Sequence, residues 1–130
     1  MLVEQFYPDH AQIKTALEPL CTAALRLPPP EAGALIMIDT DPTQYLADGQ
    51  RLTALVDTEA YVVVPREMDF IALEYLLDPP GAAAVARGYN SIQPLPDLSA
   101  VRPVYRYLYR LLEAQGRAEL EIWMAHPALF

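Results

Sequence analysis

Residues 34–58 read Ala34-Leu35-Ile36-Met37-Ile38-Asp39-Thr40-Asp41-Pro42-Thr43-Gln44-Tyr45-Leu46-Ala47-Asp48-Gly49-Gln50-Arg51-Leu52-Thr53-Ala54-Leu55-Val56-Asp57-Thr58. The apolar runs Ala34–Ile38 and Arg51–Val56 read as buried strands. Between them, Ala47-Asp48-Gly49-Gln50 carries the Asp-Gly pair. Glycine accepts positive φ at little steric cost, so a small hairpin is expected there. Asp39 directly follows the first run and Asp57 the second. Strand ends are where a chain presents side chains to a common cleft.

On the N-terminal side, Ile13, Leu17, Leu20, Ala24 and Leu25 recur at helical spacing. They predict one amphipathic helix over Asp9–Leu27, capped by Asp9 and bent near Pro19, with Cys21 buried on its apolar stripe. Pro28-Pro29-Pro30 stops that helix, because fixed φ angles without donors cannot continue the ladder. On the C-terminal side the chain reads as irregular through Pro65, with Tyr61–Val64 either an exposed strand edge or a core segment. Asp69 would cap a short helix over Phe70–Leu77, which Asp78-Pro79-Pro80-Gly81 ends, and Ala82–Tyr89 is a further helix. Val101, Val104, Tyr105, Leu108, Leu111 and Leu112 form one stripe of a helix over 101–115, with Gly116 as its C-cap and a last short helix over Arg117–Met124. Arg102, Arg106 and Arg110 repeat at i, i+4, i+8 and read as a solvated face. The whole predicts an α+β fold, mostly helical with a small β-hairpin, in a single domain of residues 1–130.

Composition narrows the function. With 53% hydrophobic and 20% charged residues the chain is not globally disordered, and 130 residues suit one domain. Seventeen acids against nine basic residues give a net charge of −8, which repels a phosphate backbone and excludes nucleic acid as the expected partner. The same acidity suits a cationic small molecule. One cysteine excludes an intramolecular disulfide framework and any multi-cysteine zinc site, and it points to a reducing, cytoplasmic setting. No apolar run approaches the roughly 18 to 20 residues that cross a bilayer, so no membrane partner is expected. Thirteen prolines imply short helices and angular connections.

The order and spacing of four segments, Met37-Ile38-Asp39, Pro42-Thr43-Gln44, Val56-Asp57-Thr58-Glu59 and Asp69-Phe70-Ile71-Ala72, resemble the catalytic half of the aminoglycoside phosphotransferase and choline kinase group, relatives of the protein kinases. In that group a strand ends in His-Gly-Asp, and a Pro and an Asn follow at the spacings of Pro42 and Gln44. A hairpin then leads to an Ile-Asp-Trp-Glu-like segment and an Asp-Leu-Ala helix start. The resemblance implies a kinase-like C-terminal lobe in which Asp39 orients or deprotonates the acceptor hydroxyl. It implies Asp57 as the principal Mg²⁺ ligand, Gln44 as the second, ATP as the nucleotide, and Asp69 as a structural acid bracing the catalytic loop.

The residues also depart from the pattern: Met37 stands for the histidine, Ile38 for the glycine, Gln44 for the asparagine and Thr58 for the tryptophan. Only 33 residues precede the first matching strand, and the sole lysine, Lys14, lies on a predicted helix, so the glycine-rich nucleotide lobe has no counterpart. The expectation is a remnant or separated C-lobe of a small-molecule phosphotransferase, inactive alone, to which a partner chain would bring the nucleotide lobe. The alternative is a non-catalytic interaction scaffold, such as a homodimer.

Overall fold

In chain order the elements are α1 (Leu2–Phe6), α2 (Ala11–Ala24), β1 (Ala34–Met37), a short 3₁₀ helix (Pro42–Gln44), β2 (Tyr45–Asp48), β3 (Arg51–Leu55), β4 (Tyr61–Val64), α3 (Glu67–Leu76), α4 (Pro79–Asn90), α5 (Arg102–Leu112) and α6 (Leu120–Met124). The computed structural model describes residues 2–30, 33–37, 41–58, 61–112 and 119–130. Of these, 52% are helical and 15% lie in strands, which makes the chain a mostly helical α+β protein as expected. Among the described residues no helix is long and apolar enough to cross a membrane. Two units emerge, one of Met1–Pro29 with Asp97–Ala128, the other of Pro30–Pro96 with Leu129–Phe130.

The first unit is helical, with a core of Val3, Tyr7, Ile13, Tyr107 and Leu120. Its tyrosines bury rings and satisfy their hydroxyls on helix carbonyls. Tyr107 donates to the Ile13 carbonyl at 2.8 Å, and Tyr7 donates to that of Leu111, also at 2.8 Å, so Tyr7 serves one of the orphan acceptors at the end of α5. Three expectations are corrected here. The N-cap of α2 is His10, without a side-chain bond, so Asp9 does not cap it, and Pro19 lies inside the helix. Cys21 is exposed. Arg106 and Arg110 are buried at 5% and 3% exposure rather than solvated, while Leu108 and Leu112 face outward.

The chemistry explains the inverted helix. The Arg106 guanidinium donates to the carbonyls of Met124 at 3.1 Å, His126 at 2.6 Å and Pro127 at 3.0 Å. Arg110 lies 5.9 Å from the ring centroids of both Tyr7 and Trp123. Long arginine stems fill apolar space while the planar heads collect carbonyls that no helix satisfies. The C-cap expected at Gly116 lies outside the described residues.

In the second unit β1 and β4 pair antiparallel, Leu35 opposite Val63 and Ile36 opposite Val62, so Tyr61–Val64 is a strand rather than irregular chain. Ile36 and Met37 are buried, and the Leu35–Val63 pair stands outward, 67% and 71% exposed. The hairpin of β2 and β3 forms where Asp-Gly announced it. Gly49 has φ of 60°, and Gln50 does not share that sign. Positive φ at the first loop residue alone is the pattern of a type II′ turn, whose twist matches that of the flanking strands. Every residue of both strands is exposed, which corrects the reading of Arg51–Val56 as a buried strand. Among the described residues the two strands form a two-stranded sheet of their own.

Helix α3 supplies the core of this unit with Met68, Phe70, Ile71, Ala72 and the fully buried Glu74. It begins at Glu67, so Asp69 sits in the first turn instead of capping. An acid there still favours the positive end of the helix dipole. Asp78-Pro79-Pro80-Gly81 starts α4 as well as ending α3. The Asp78 carboxylate accepts from the Gly81 N–H at 2.8 Å, and proline is tolerated in a first turn because its missing donor would be unused there. The Phe70 ring packs edge-on against Tyr89 at 4.8 Å and Phe130 at 5.1 Å.

Candidate functional site

Of the residues expected to carry chemistry, Gln44, Asp57 and Asp69 belong to the second unit. Asp41 opens the 3₁₀ helix, accepting from the Thr43 N–H and hydroxyl, each at 2.7 Å. These bonds favour the ionised form, and the Thr43 hydroxyl first, then its N–H, holds the Asp41 carboxyl below the usual range. Gln44 follows, 5% exposed, with its Oε1 finding no hydrogen-bond partner among the described residues. The Val56 N–H donates to the Gln44 carbonyl at 2.9 Å, which closes the hairpin and sets the backbone of Gln44 beside that of Val56-Asp57.

Asp57 itself is exposed and holds φ of 55°, a left-handed conformation that aspartate tolerates better than most residues. A residue in that region turns the chain sharply, two residues after β3 ends at Leu55. Asp39, the expected catalytic carboxylate, lies outside the described residues. Of the three sequence-derived site residues, Gln44 and Asp57 thus come together along the backbone, one buried and one exposed.

Asp69 is the group whose chemistry the fold alters most. Burial pushes its carboxyl up to about 6, against a hydrogen bond from the Met37 main chain that works the other way. Its Oδ1 is buried and has no hydrogen-bond partner among the described residues. That bond to Met37 ties α3 to the end of β1. Burial, then Asp69, then Tyr61 raise the Tyr45 hydroxyl above its ordinary value. A cavity of about 240 Å³ lies against Asp69, Arg66, Phe70, Tyr89 and Gln93. Its rim is braced by Arg66, which donates to the Tyr89 hydroxyl at 3.2 Å and the Pro94 carbonyl at 3.3 Å.

Sequence reasoning missed the buried Glu74, whose Oε1 accepts from the Leu129 N–H at 3.1 Å. The one signal for it was an acid inside an apolar helix, Leu73-Glu74-Tyr75-Leu76.

Among the described residues no group of three or more histidine, cysteine or acidic side chains could hold a metal ion. The oxygens of Gln44 and Asp57 are the donors that the resemblance assigns to Mg²⁺. The two differ in access, the Gln44 Oε1 being buried and Asp57 exposed. No family model, curated protein or solved structure matches the chain.

Proposed function

We propose that this chain is a non-catalytic interaction scaffold built on a small-molecule phosphotransferase-like C-lobe, acting in the cytosol that its lone cysteine suits. The observation that carries this reading is the β2–β3 hairpin, which leaves Leu52 and Leu55 exposed together on one face. Exposed apolar side chains that adjoin one another mark a surface meant to be covered. The losses of the histidine and glycine, at Met37 and Ile38, argue the same way.

A second reading rests on the Gln44 Oε1. A buried acceptor without a donor costs about 1–3 kcal/mol, and a cation held with Asp57 would relieve it. In that case the chain is the catalytic half of a two-chain phosphotransferase. When bound, magnesium would neutralise nucleotide phosphates, and this chain's part would be to hold and orient the pair through Gln44 and Asp57.

Calorimetry with the chain alone can overturn the scaffold reading. The scaffold binds neither Mg²⁺ nor ATP, so no heat is expected with the chain alone. Magnesium-dependent heat with ATP that disappears in Asp57→Ala would overturn the scaffold reading.

A further inference from the structure

The register of the hairpin decides which of its side chains stand together. Tyr45 pairs with Leu55, Leu46 with Ala54 and Ala47 with Leu52, so the ladder skips Thr53 opposite the Leu46–Ala47 step. Paired residues share a face and neighbours along a strand alternate. Tyr45, Ala47, Leu52 and Leu55 therefore share one face. In an unbulged strand Leu52 and Leu55, three residues apart, would point to opposite sides. The extra residue thus assembles an apolar stripe, and Thr53 secures it by donating its hydroxyl to the Leu46 carbonyl at 3.1 Å. Leu52 is 58% exposed and Leu55 37%. Tyr45 continues the stripe into a cavity of about 300 Å³ that it lines with Pro42, Leu73, Leu76, Leu77 and Val85.

The charges around this surface have one prevailing sign. Asp48 and Arg51 pair with each other on the opposite face, whereas the exposed Asp41 precedes Pro42 and the exposed Asp78 follows Leu77, both residues of the cavity wall. A second copy would bring its own net charge of −8 to this rim. Like charges facing each other disfavour association, whereas complementary ones steer it.

We propose that the bulged face of the hairpin and the adjoining cavity dock a basic amphipathic helix of a different protein, its apolar side chains against Tyr45, Leu52 and Leu55 and its lysines or arginines toward Asp41 and Asp78. The proposal rests on the scaffold reading and names the chemistry of the partner. Helix-in-groove recognition asks for such an apolar seat with a charged rim.

The test uses the full chain, a labelled synthetic Leu/Lys amphipathic helix and its Leu/Glu counterpart, followed by fluorescence anisotropy. The Leu/Lys helix is expected to bind at least tenfold more tightly than the Leu/Glu helix. Its affinity should fall at least tenfold in the double variant Leu52→Ser, Leu55→Ser, with far-UV circular dichroism unchanged. Equal binding of both helices, or an undiminished Leu/Lys affinity in the double variant, would overturn the proposal. Self-association of the chain that the double variant abolishes would overturn the basic partner and leave the scaffold standing. Magnesium-dependent ATP binding lost in Asp57→Ala would remove the scaffold itself.

Discussion

The main-chain N–H of Leu129 donates to Oε1 of Glu74 at 3.1 Å, and Glu74 is fully buried within α3. Two residues at the end of the sequence thereby complete the core of the second unit, since the Phe130 ring also packs on Phe70. A buried carboxylate is tolerated only when its oxygens are satisfied. Glu74→Ala removes the acceptor and opens a cavity, and it should cost about 2–4 kcal/mol. Glu74→Gln keeps an acceptor oxygen in place and should cost less. Urea unfolding of both variants checks the order, and equal losses would show that the oxygen at this position does not matter.

Asp69 gives the second unit a pH dependence of definite sign. Its carboxyl stands at about 6 in the folded chain, above its ordinary value of 3.8. Between these values the folded state keeps a proton that the unfolded state has released, so the contribution of Asp69 is fully present below about pH 4. It falls as pH rises and is lost once pH passes about 6. Asp41 and Asp97, whose carboxyls are held low by Thr43 and Ser99, act in the opposite direction at lower pH. Asp69→Asn isolates the effect: its melting temperature relative to wild type should rise from pH 4 to pH 7. A constant difference across that range would refute the assignment.

Arg106 holds the chain beyond α6 through three carbonyls, which a planar guanidinium reaches at once and a lysine ammonium does not. Arg106→Lys is therefore expected to destabilise the first unit by about 1–3 kcal/mol. The indole of Trp123 reports it directly, because Trp123 Nε1 donates to the Arg106 carbonyl at 2.8 Å. Its fluorescence should shift at lower urea in the variant than in wild type.

What the sequence made legible was local chemistry. Asp48-Gly49 fixed the hairpin because a turn needs little beyond its own residues, and the feet of that hairpin carry Gln44 and Asp57 wherever it lies. The strand Tyr61–Val64 was harder to see because its partner is β1, with Val64 opposite Ala34, and nothing in Tyr-Val-Val-Val says which face is inward. Asp78-Pro79-Pro80 has two meanings, stopping one helix and starting the next. In α5 the period is the same whichever face turns inward. Only the carbonyls and rings waiting around Arg106 and Arg110 decide that the arginines are buried while Leu108 and Leu112 are not. The raised Asp69 carboxyl was hidden for a related reason: burial comes from residues remote along the chain.

Gly49 tests whether the hairpin and its bulge form one device. With φ of 60° and nothing within 4 Å of an added Cβ, the position restricts the backbone and leaves space around it. Gly49→Asn should be close to neutral, because asparagine visits the left-handed region, and Gly49→Val should cost about 1–2 kcal/mol, because a branched side chain does not. The loss would appear first as faster amide exchange in β2 and β3, which among the described residues form a sheet of two strands. Since the stripe of Tyr45, Leu52 and Leu55 exists only in this register, Gly49→Val should also weaken the Leu/Lys helix without touching any residue that meets it. Unchanged exchange with weakened binding would separate the turn from the register and show that the tip itself makes contact.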